Sequence, residues 1–539
     1  MLYDDGVKGR KRRLPLFCDK RATNRNDTPI CAAIGGPCGP TDWQRTFRHM
    51  LTTHPFMSSD DGDKLREECG IFGISNVETA SAVVALGLHA LQHRGQEAAG
   101  ITSWDGHDFH THRAMGHVAG NFDRDDVIRA LPGESACGHV RYSTTGETSL
   151  RNVQPLYADL ASGGFAVAHN GNISNAMKLR RELVRRGSIF QSTSDTEVII
   201  HLVATSNYRT LLDKFIDALK QVEGAYSLIC MTPEGMIACR DPLGIRPLVM
   251  GKLGDSMIFA SETVALDVVG ADYVRSIEPG ELVIVTNGGE MRSHRPFGET
   301  HARPCIFEQV YFSRPDSIIG GTSVYSARKA IGAQLAIENP VDADYVIPVP
   351  DSGVPAAIGY AQQSGIPFEL GIIRSHYVGR TFIQPSDKVR HLGVKLKHNA
   401  NRALIEGKRI VLIDDSIVRG TTSLKIVQMM REAGASEVHM RIASPPTKHS
   451  CFYGVDTPER TKLLAHKLDV GGMQDFIHAD SLSFISIDGL YKALGEAKRA
   501  DIRPQYCDAC FTGDYPTTLT DQDEAAVPNQ FELLAERVV

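Results

Sequence analysis

Val411-Leu-Ile-Asp-Asp-Ser-Ile-Val-Arg-Gly-Thr-Thr422 is an apolar run that ends in two carboxylates and passes into a small polar loop. A helical pattern follows, with Ile426, Val427, Met430 and Ala433 on one face. Strand, loop and helix in that order place a ligand at the carboxyl end of a parallel sheet. Backbone N–H groups in the loop and at the helix start can hold a phosphate, and Gly420 lets the backbone come close to it. Asp414 and Asp415 can accept from vicinal hydroxyls of a sugar or hold a divalent cation through oxygen. A bare Asp-Asp would be read as a cap on the next helix. The whole run is read as a sugar-phosphate site.

The same alternation extends around it. Tyr345 to Val349 reads as a strand and Pro355 to Gln363 as a helix, so about 301–490 is expected to be parallel βαβ units. Between them lies Pro348-Val-Pro-Asp-Ser-Gly-Val354, and further on Tyr377-Val-Gly-Arg-Thr-Phe-Ile-Gln-Pro385. Together these segments resemble the type I phosphoribosyltransferases. The resemblance implies an α/β domain with a parallel sheet that binds phosphoribosyl pyrophosphate (PRPP). Asp414 and Asp415 would meet the ribose and Mg²⁺, and Ser416, Arg419, Gly420, Thr421 and Thr422 the 5′-phosphate. Asp351, Ser352 and Gly353 would cradle pyrophosphate, with Ser352 a further Mg²⁺ oxygen. Tyr377 and Arg380 would belong to a loop that covers bound PRPP.

Residues 69–300 read as strands mixed with a few helices. Helices are expected over Ala80–Gln92, Asn175–Arg186 and Ser194–Ala204, and strands over Ala225–Met231, Met257–Ala260 and Leu282–Thr286. Cys69 carries chemistry only if it becomes the first residue. A thiol with a pKa of about 8.5 needs a base. A free α-amino group, at about 7.7–8.0, can serve its own side chain. Four segments follow in order: Gln92-His-Arg-Gly-Gln96, His139-Val-Arg-Tyr-Ser-Thr-Thr-Gly146, His169-Asn-Gly-Asn172 and Ser192-Thr-Ser-Asp-Thr196. With Cys69 they resemble the N-terminal-nucleophile (Ntn) glutamine amidotransferases. That resemblance implies an α+β domain of αββα layers with Cys69 as nucleophile. Asn170 and the Gly171 N–H would form the oxyanion hole. Arg94, Gly95, Arg141 and Asp195 would bind glutamine, Arg141 on its carboxylate and Asp195 on its amine. His93 and His139 are assigned structural roles.

A glutaminase followed by a phosphoribosyl site resembles the amidophosphoribosyltransferase family, which opens purine synthesis. The implied reaction takes PRPP, glutamine and water to phosphoribosylamine, glutamate and pyrophosphate, with ammonia passing internally between the sites. No sugar-isomerase domains and no SGGxDS loop follow the first half, as they would in other glutaminase-bearing relatives. One subgroup carries a [4Fe–4S] cluster, which here would fall on Cys305, Cys451, Cys507 and Cys510. Zinc on the same four thiols is the alternative. The family also implies a homotetramer and feedback by AMP and GMP. Two other readings are a non-catalytic PRPP-sensing regulator and a glutaminase coupled to another acceptor. The first lacks a nucleic-acid-binding element here, and the Asp414–Thr422 run opposes the second.

Composition narrows the classes. The chain has 539 residues, enough for roughly two to four domains. A net charge of −6 offers no basic face for nucleic acid. No run of about 20 apolar residues is present for a membrane span. Eleven scattered cysteines fit reduced thiols in the cytoplasm better than a secreted disulfide framework. Residues 1–68 read as a disordered extension or propeptide, with Met57 an alternative start. Residues 491–539 read as a less regular C-terminal segment holding two of the four cluster cysteines.

Overall fold

The computed structural model describes residues 69–142, 149–374 and 398–523, all within the compact unit Ser58–Val539. The expected extension 1–68, the end of the His139–Gly146 motif, and Tyr377 and Arg380 lie outside the described residues.

Two antiparallel sheets build the first half. One has seven strands, with Gly70–Ile74 at its centre between Ser135–Arg141 and Ser256–Ala260. The other has six, with Gly163–Ile173 paired to Gly224–Thr232. Period-2 alternation explains how they stack. Ile71, Ala166, Ala168, Ile229, Met231 and Ala238 point between the sheets. On the seven-stranded sheet, Phe72 and Ile74 point outward beneath the helix Ala80–Ala90. On the six-stranded sheet, Phe165, Val167, Leu228 and Cys230 point outward beneath the helices Ala176–Arg185, Thr196–Thr205 and Leu211–Leu219. The central strands Gly70–Ile74 and Gly224–Thr232 are buried on both faces because each sheet is covered on both there. The result is the expected helix–sheet–sheet–helix layering.

The second half holds a four-stranded, all-parallel sheet in the order Tyr345–Pro348, Arg409–Asp414, Glu437–Ile442, Ser481–Phe484. Val411 and Ile413 face the helices Val324–Glu338 and Val354–Ser364. Ile410 and Leu412 face Thr421–Glu432 and Val470–Ile477. Such two-sided burial is what lets the strand read as a continuous apolar run. The first two of these helices cross backbone to backbone. A Cβ on Gly332 would lie 1.8 Å from the Ala356 carbonyl oxygen, and one on Gly359 would lie 1.9 Å from that of Lys329.

The two halves meet through charge. The fully buried Arg94 guanidinium lies against Glu262 of its own half and Glu308 and Ser313 of the other. Arg246 Nη2 donates to Glu308 Oε1 at 2.7 Å. Glu262 Oε2 accepts from the Ser317 hydroxyl at 2.7 Å and the Arg314 N–H at 2.9 Å. Burial alone would raise the Glu262 and Glu308 carboxyls, but the cations around them hold both below the ordinary range. Among the described residues no helix is long and apolar enough to cross a membrane.

Candidate active site

Cys69 stands at the head of the central strand Gly70–Ile74, its Sγ 3.7 Å from the Tyr142 carbonyl oxygen. The strand beside it is tied down by Ser261. Ser261 Oγ accepts from the Ile71 N–H at 3.0 Å and from Asn170 Nδ2 at 3.3 Å. One hydroxyl therefore joins the nucleophile's strand to the expected oxyanion residue. Asn170 is fully buried, yet its Oδ1 has no hydrogen-bond partner among the described residues. Gly171 follows at φ +144°, where a Cβ would lie 2.0 Å from the Ala225 carbonyl oxygen, so only glycine fits.

Arg141 and Asp195 approach from two other elements. Arg141 Nη1 donates to the Asn152 carbonyl at 2.9 Å, and the Asn152 side chain pairs in both directions with Thr193. Asp195 caps the helix Thr196–Thr205 and accepts from the Ile173 N–H at 3.0 Å. His169 hydrogen-bonds Thr196 through Nδ1 and lies 3.8 Å from Asp195. Burial pulls His169 down and Asp195 partly opposes it; burial also pulls His139 well below its ordinary value. Both rings are therefore neutral near pH 7.

Arg94 was expected to bind glutamine; its guanidinium lies in the buried cluster with Glu262 and Glu308. Its neighbour Gly95 presses its backbone on the next strand, where a Cβ would lie 2.6 Å from the Val140 carbonyl carbon. Ser261, Asn152, Glu262 and Glu308 were not expected, and no short motif surrounds any of them.

At the parallel sheet, Asp414 ends its strand and Asp415 begins the loop, both buried. Asp414 Oδ1 accepts from the Asp415 N–H at 2.9 Å, and Asp415 Oδ1 from the Ser416 hydroxyl at 2.6 Å. Gly420, at φ +79°, caps the helix whose first residues are Thr421 and Thr422. A Cβ there would lie 2.5 Å from Leu464 Cδ2. The Val349–Val354 loop closes on this strand end. Gly353 leaves no room for a Cβ, which would lie 2.4 Å from the Ile413 carbonyl oxygen. Exposed Asp351 pairs with Arg374. Ser352, Asp415 and Arg328 line one small pocket. Ser352 Oγ and Asp415 Oδ2 are buried there with no hydrogen-bond partner among the described residues. An orphaned hydroxyl and an orphaned carboxylate oxygen are donor types that a hard cation takes, here beside the Arg328 guanidinium.

The four cysteines also gather. Cys305 and Cys507 form a parallel backbone bridge, and Lys448 and His449 donate their N–H groups to the Cys510 carbonyl. Burial, then the charges of the other cysteines, raises the thiols of Cys507 and Cys510 well above their ordinary value. Among the described residues no three His, Cys, Asp or Glu side chains converge on a point that would hold a single metal ion. Cys507 is buried and Cys305, Cys451 and Cys510 are half-buried, and thiolates are the donors that an iron–sulfur cluster takes.

Comparison with known proteins agrees with this division. Residues 139–268 match the glutamine amidotransferase domain and residues 328–451 the phosphoribosyl transferase domain. An amidophosphoribosyltransferase of Rhizobium etli is 56% identical over 493 residues, 90% of this chain and 99% of the relative. That of Bacillus subtilis is 50% identical over 456 residues, 84% of this chain and 95% of the relative. The solved B. subtilis glutamine PRPP amidotransferase, complexed with ADP and GMP, superposes with a TM-score of 0.79 at 49% identity. It covers 84% of this chain and 98% of its own. The chain belongs to the amidophosphoribosyltransferase family.

Proposed function

We propose that this chain releases ammonia from glutamine at Cys69 and uses it to displace pyrophosphate from PRPP at the carboxyl end of the parallel sheet. The observation that carries the reading is the Ser261 hydroxyl, which holds Asn170 to the strand that Cys69 heads. After cleavage before Cys69, the free amine takes the thiol proton and the sulfur attacks the glutamine amide carbon. Asn170 and the Gly171 N–H stabilise the oxyanion. Collapse expels ammonia and leaves a thioester, which water hydrolyses to glutamate. Arg141 and Asp195 hold the two charged ends of glutamine.

Asp414, Asp415 and the Ser416–Thr422 loop hold the ribose phosphate, while Asp351, Ser352 and Gly353 hold the leaving pyrophosphate. Ammonia attacks the anomeric carbon as the C–O bond to pyrophosphate breaks, then loses a proton. Ser352, Asp414 and Asp415 would hold Mg²⁺, which offsets charge on pyrophosphate. Cys305, Cys451, Cys507 and Cys510 would hold a [4Fe–4S] cluster in a structural role. The glutaminase spans 69–300, the transferase 301–490 and a C-terminal segment 491–539. The same reading places a homotetramer in the cytoplasm, with AMP and GMP as inhibitors.

The test compares activity with glutamine and with ammonia. Cys69→Ala is expected to abolish the first and keep the second, and Asp415→Ala to abolish both. Full glutamine activity in Cys69→Ala would remove the nucleophile from this reading. N-terminal sequencing with iron and sulfide assays on anaerobically purified protein checks the cleavage and the cluster.

A further inference from the structure

Two contacts join the glutaminase pocket to the cysteine-bearing end of the chain, and the reaction as written uses neither. The first starts at the oxyanion strand. Asn172 follows Gly171, and its Nδ2 donates to the Phe452 carbonyl at 2.9 Å, 280 residues on. Phe452 is the residue after Cys451, and Tyr453 directs its N–H at Cys451 Sγ at 3.4 Å. The second contact starts at a helix. Ala176–Arg185 has no side-chain cap from its own N-cap residue Asn175. Its first amides are satisfied from a distance: Met177 and Lys178 donate to the two Asp521 carboxylate oxygens at 2.7 and 2.9 Å.

A strap from Tyr515 to Gln522 connects the two. Tyr515 donates its hydroxyl to the Ser450 carbonyl at 2.6 Å. Thr517 donates its N–H to the Tyr453 hydroxyl at 3.1 Å, and Thr518 accepts from the Ser174 hydroxyl at 3.3 Å. Phe452, Leu519 and Asp521 then wall a cavity of about 150 Å³, whose other side is Asp195, Thr193 and Arg180. The wall of the expected glutamine-binding carboxylate is thus completed by residues from beyond position 450.

We infer that Asn172 and Asp521 are positioning residues of the glutaminase, which takes part of its geometry from the cysteine-bearing C-terminal region through them. The inference rests on the glutaminase reading above. Asn172 fixes the end of the strand that carries Asn170 and Gly171, where small displacements of a donor weaken oxyanion binding steeply. Asp521 fixes the helix start that packs behind Asp195. Asn172 meets the Phe452 carbonyl and Asp521 the Met177 and Lys178 amides, none of them a residue assigned to PRPP.

The experiment uses the full-length protein carrying Asn172→Ala, Asp521→Ala or Asp521→Asn. Glutamine-dependent and ammonia-dependent activities are measured on the same samples, with thermal unfolding alongside. Both alanine variants are expected to lose about tenfold or more in kcat/KM for glutamine, the scale of the one hydrogen bond Asn172 makes to Phe452 and the two that Asp521 accepts. Ammonia-dependent turnover is expected to stay within about twofold. Asn172→Ala should act on kcat and Asp521→Ala on KM. Asp521→Asn keeps acceptor oxygen at the helix start and should recover much of the loss. A parallel fall in both activities, or unchanged glutamine kinetics, overturns the inference. If one alanine variant does not fold, the other decides by the same ratio of glutamine-dependent to ammonia-dependent activity. Cys69→Ala separates the two readings: if it abolishes glutamine activity while the other variants do not alter it, only the positioning role fails.

Discussion

Asn170 shows how much one side chain can carry. It is buried, tied to the nucleophile's strand through Ser261, and followed by a glycine that no other residue could replace. Asn170→Ala is expected to lower glutamine-dependent kcat by about 10²–10³-fold, the usual cost of one oxyanion donor, and to leave ammonia-dependent turnover alone. Steady-state assays with the two nitrogen sources check it. His139 gives a prediction in pH. Burial holds its folded-state pKa below the ordinary value, so the native state favours the neutral ring. An unfolded histidine takes up its proton at about pH 6.5, so this contribution is full above that pH and declines as pH falls below it. The urea midpoint should drop between pH 7.5 and 5.5, and the drop should be smaller in His139→Gln. Residue types and spacing pointed to Asp414 and Asp415, whereas Asn170 and Gly171 came from the resemblance to the Ntn glutamine amidotransferases. The pairing of the Arg94 guanidinium was not legible, because a motif names a long side chain but not the way it turns.

Helices and strands were legible where periodicity was strong. Ala80–Gln92 forms as Ala80–Ala90, Asn175–Arg186 as Ala176–Arg185, and Leu282–Thr286 as expected. Their ends shift by one or two residues because caps, rather than apolar spacing, set them. The crossing of Val324–Glu338 over Val354–Ser364 was not legible. Gly332 and Gly359 look like weak points in helices until their partners are known, and then they are the contact itself. Gly332→Ala would drive a methyl into the Ala356 carbonyl and should destabilise the phosphoribosyl half by about 1–3 kcal/mol or more. Chemical denaturation against the parent would show it, and an unchanged midpoint would mean the crossing relaxes freely.

Whole-molecule contacts were the least visible in the sequence, because their partners lie far apart along it. Arg94 meets Glu262 across 168 residues and Glu308 across 214. Removing one member of such a buried set leaves a charge without its partner. Glu308→Ala strips a carboxylate from both Arg94 and Arg246 and should cost about 3–5 kcal/mol. Differential unfolding of the full chain checks it, and a loss near the surface-pair scale of about 0–1 kcal/mol would argue that water enters the site.

That shared ion cluster also bears on how the enzyme can be dissected. A fragment ending near residue 300 would keep Arg94 with Glu262 but lose Glu308, the carboxylate shared by Arg94 and Arg246. A fragment beginning there would carry Glu308 with no cation. Although the halves resemble separate catalytic modules, neither is a self-sufficient cloning unit. Chimeras that exchange one half for a relative's should succeed only when the Arg94, Arg246, Glu262 and Glu308 set travels together.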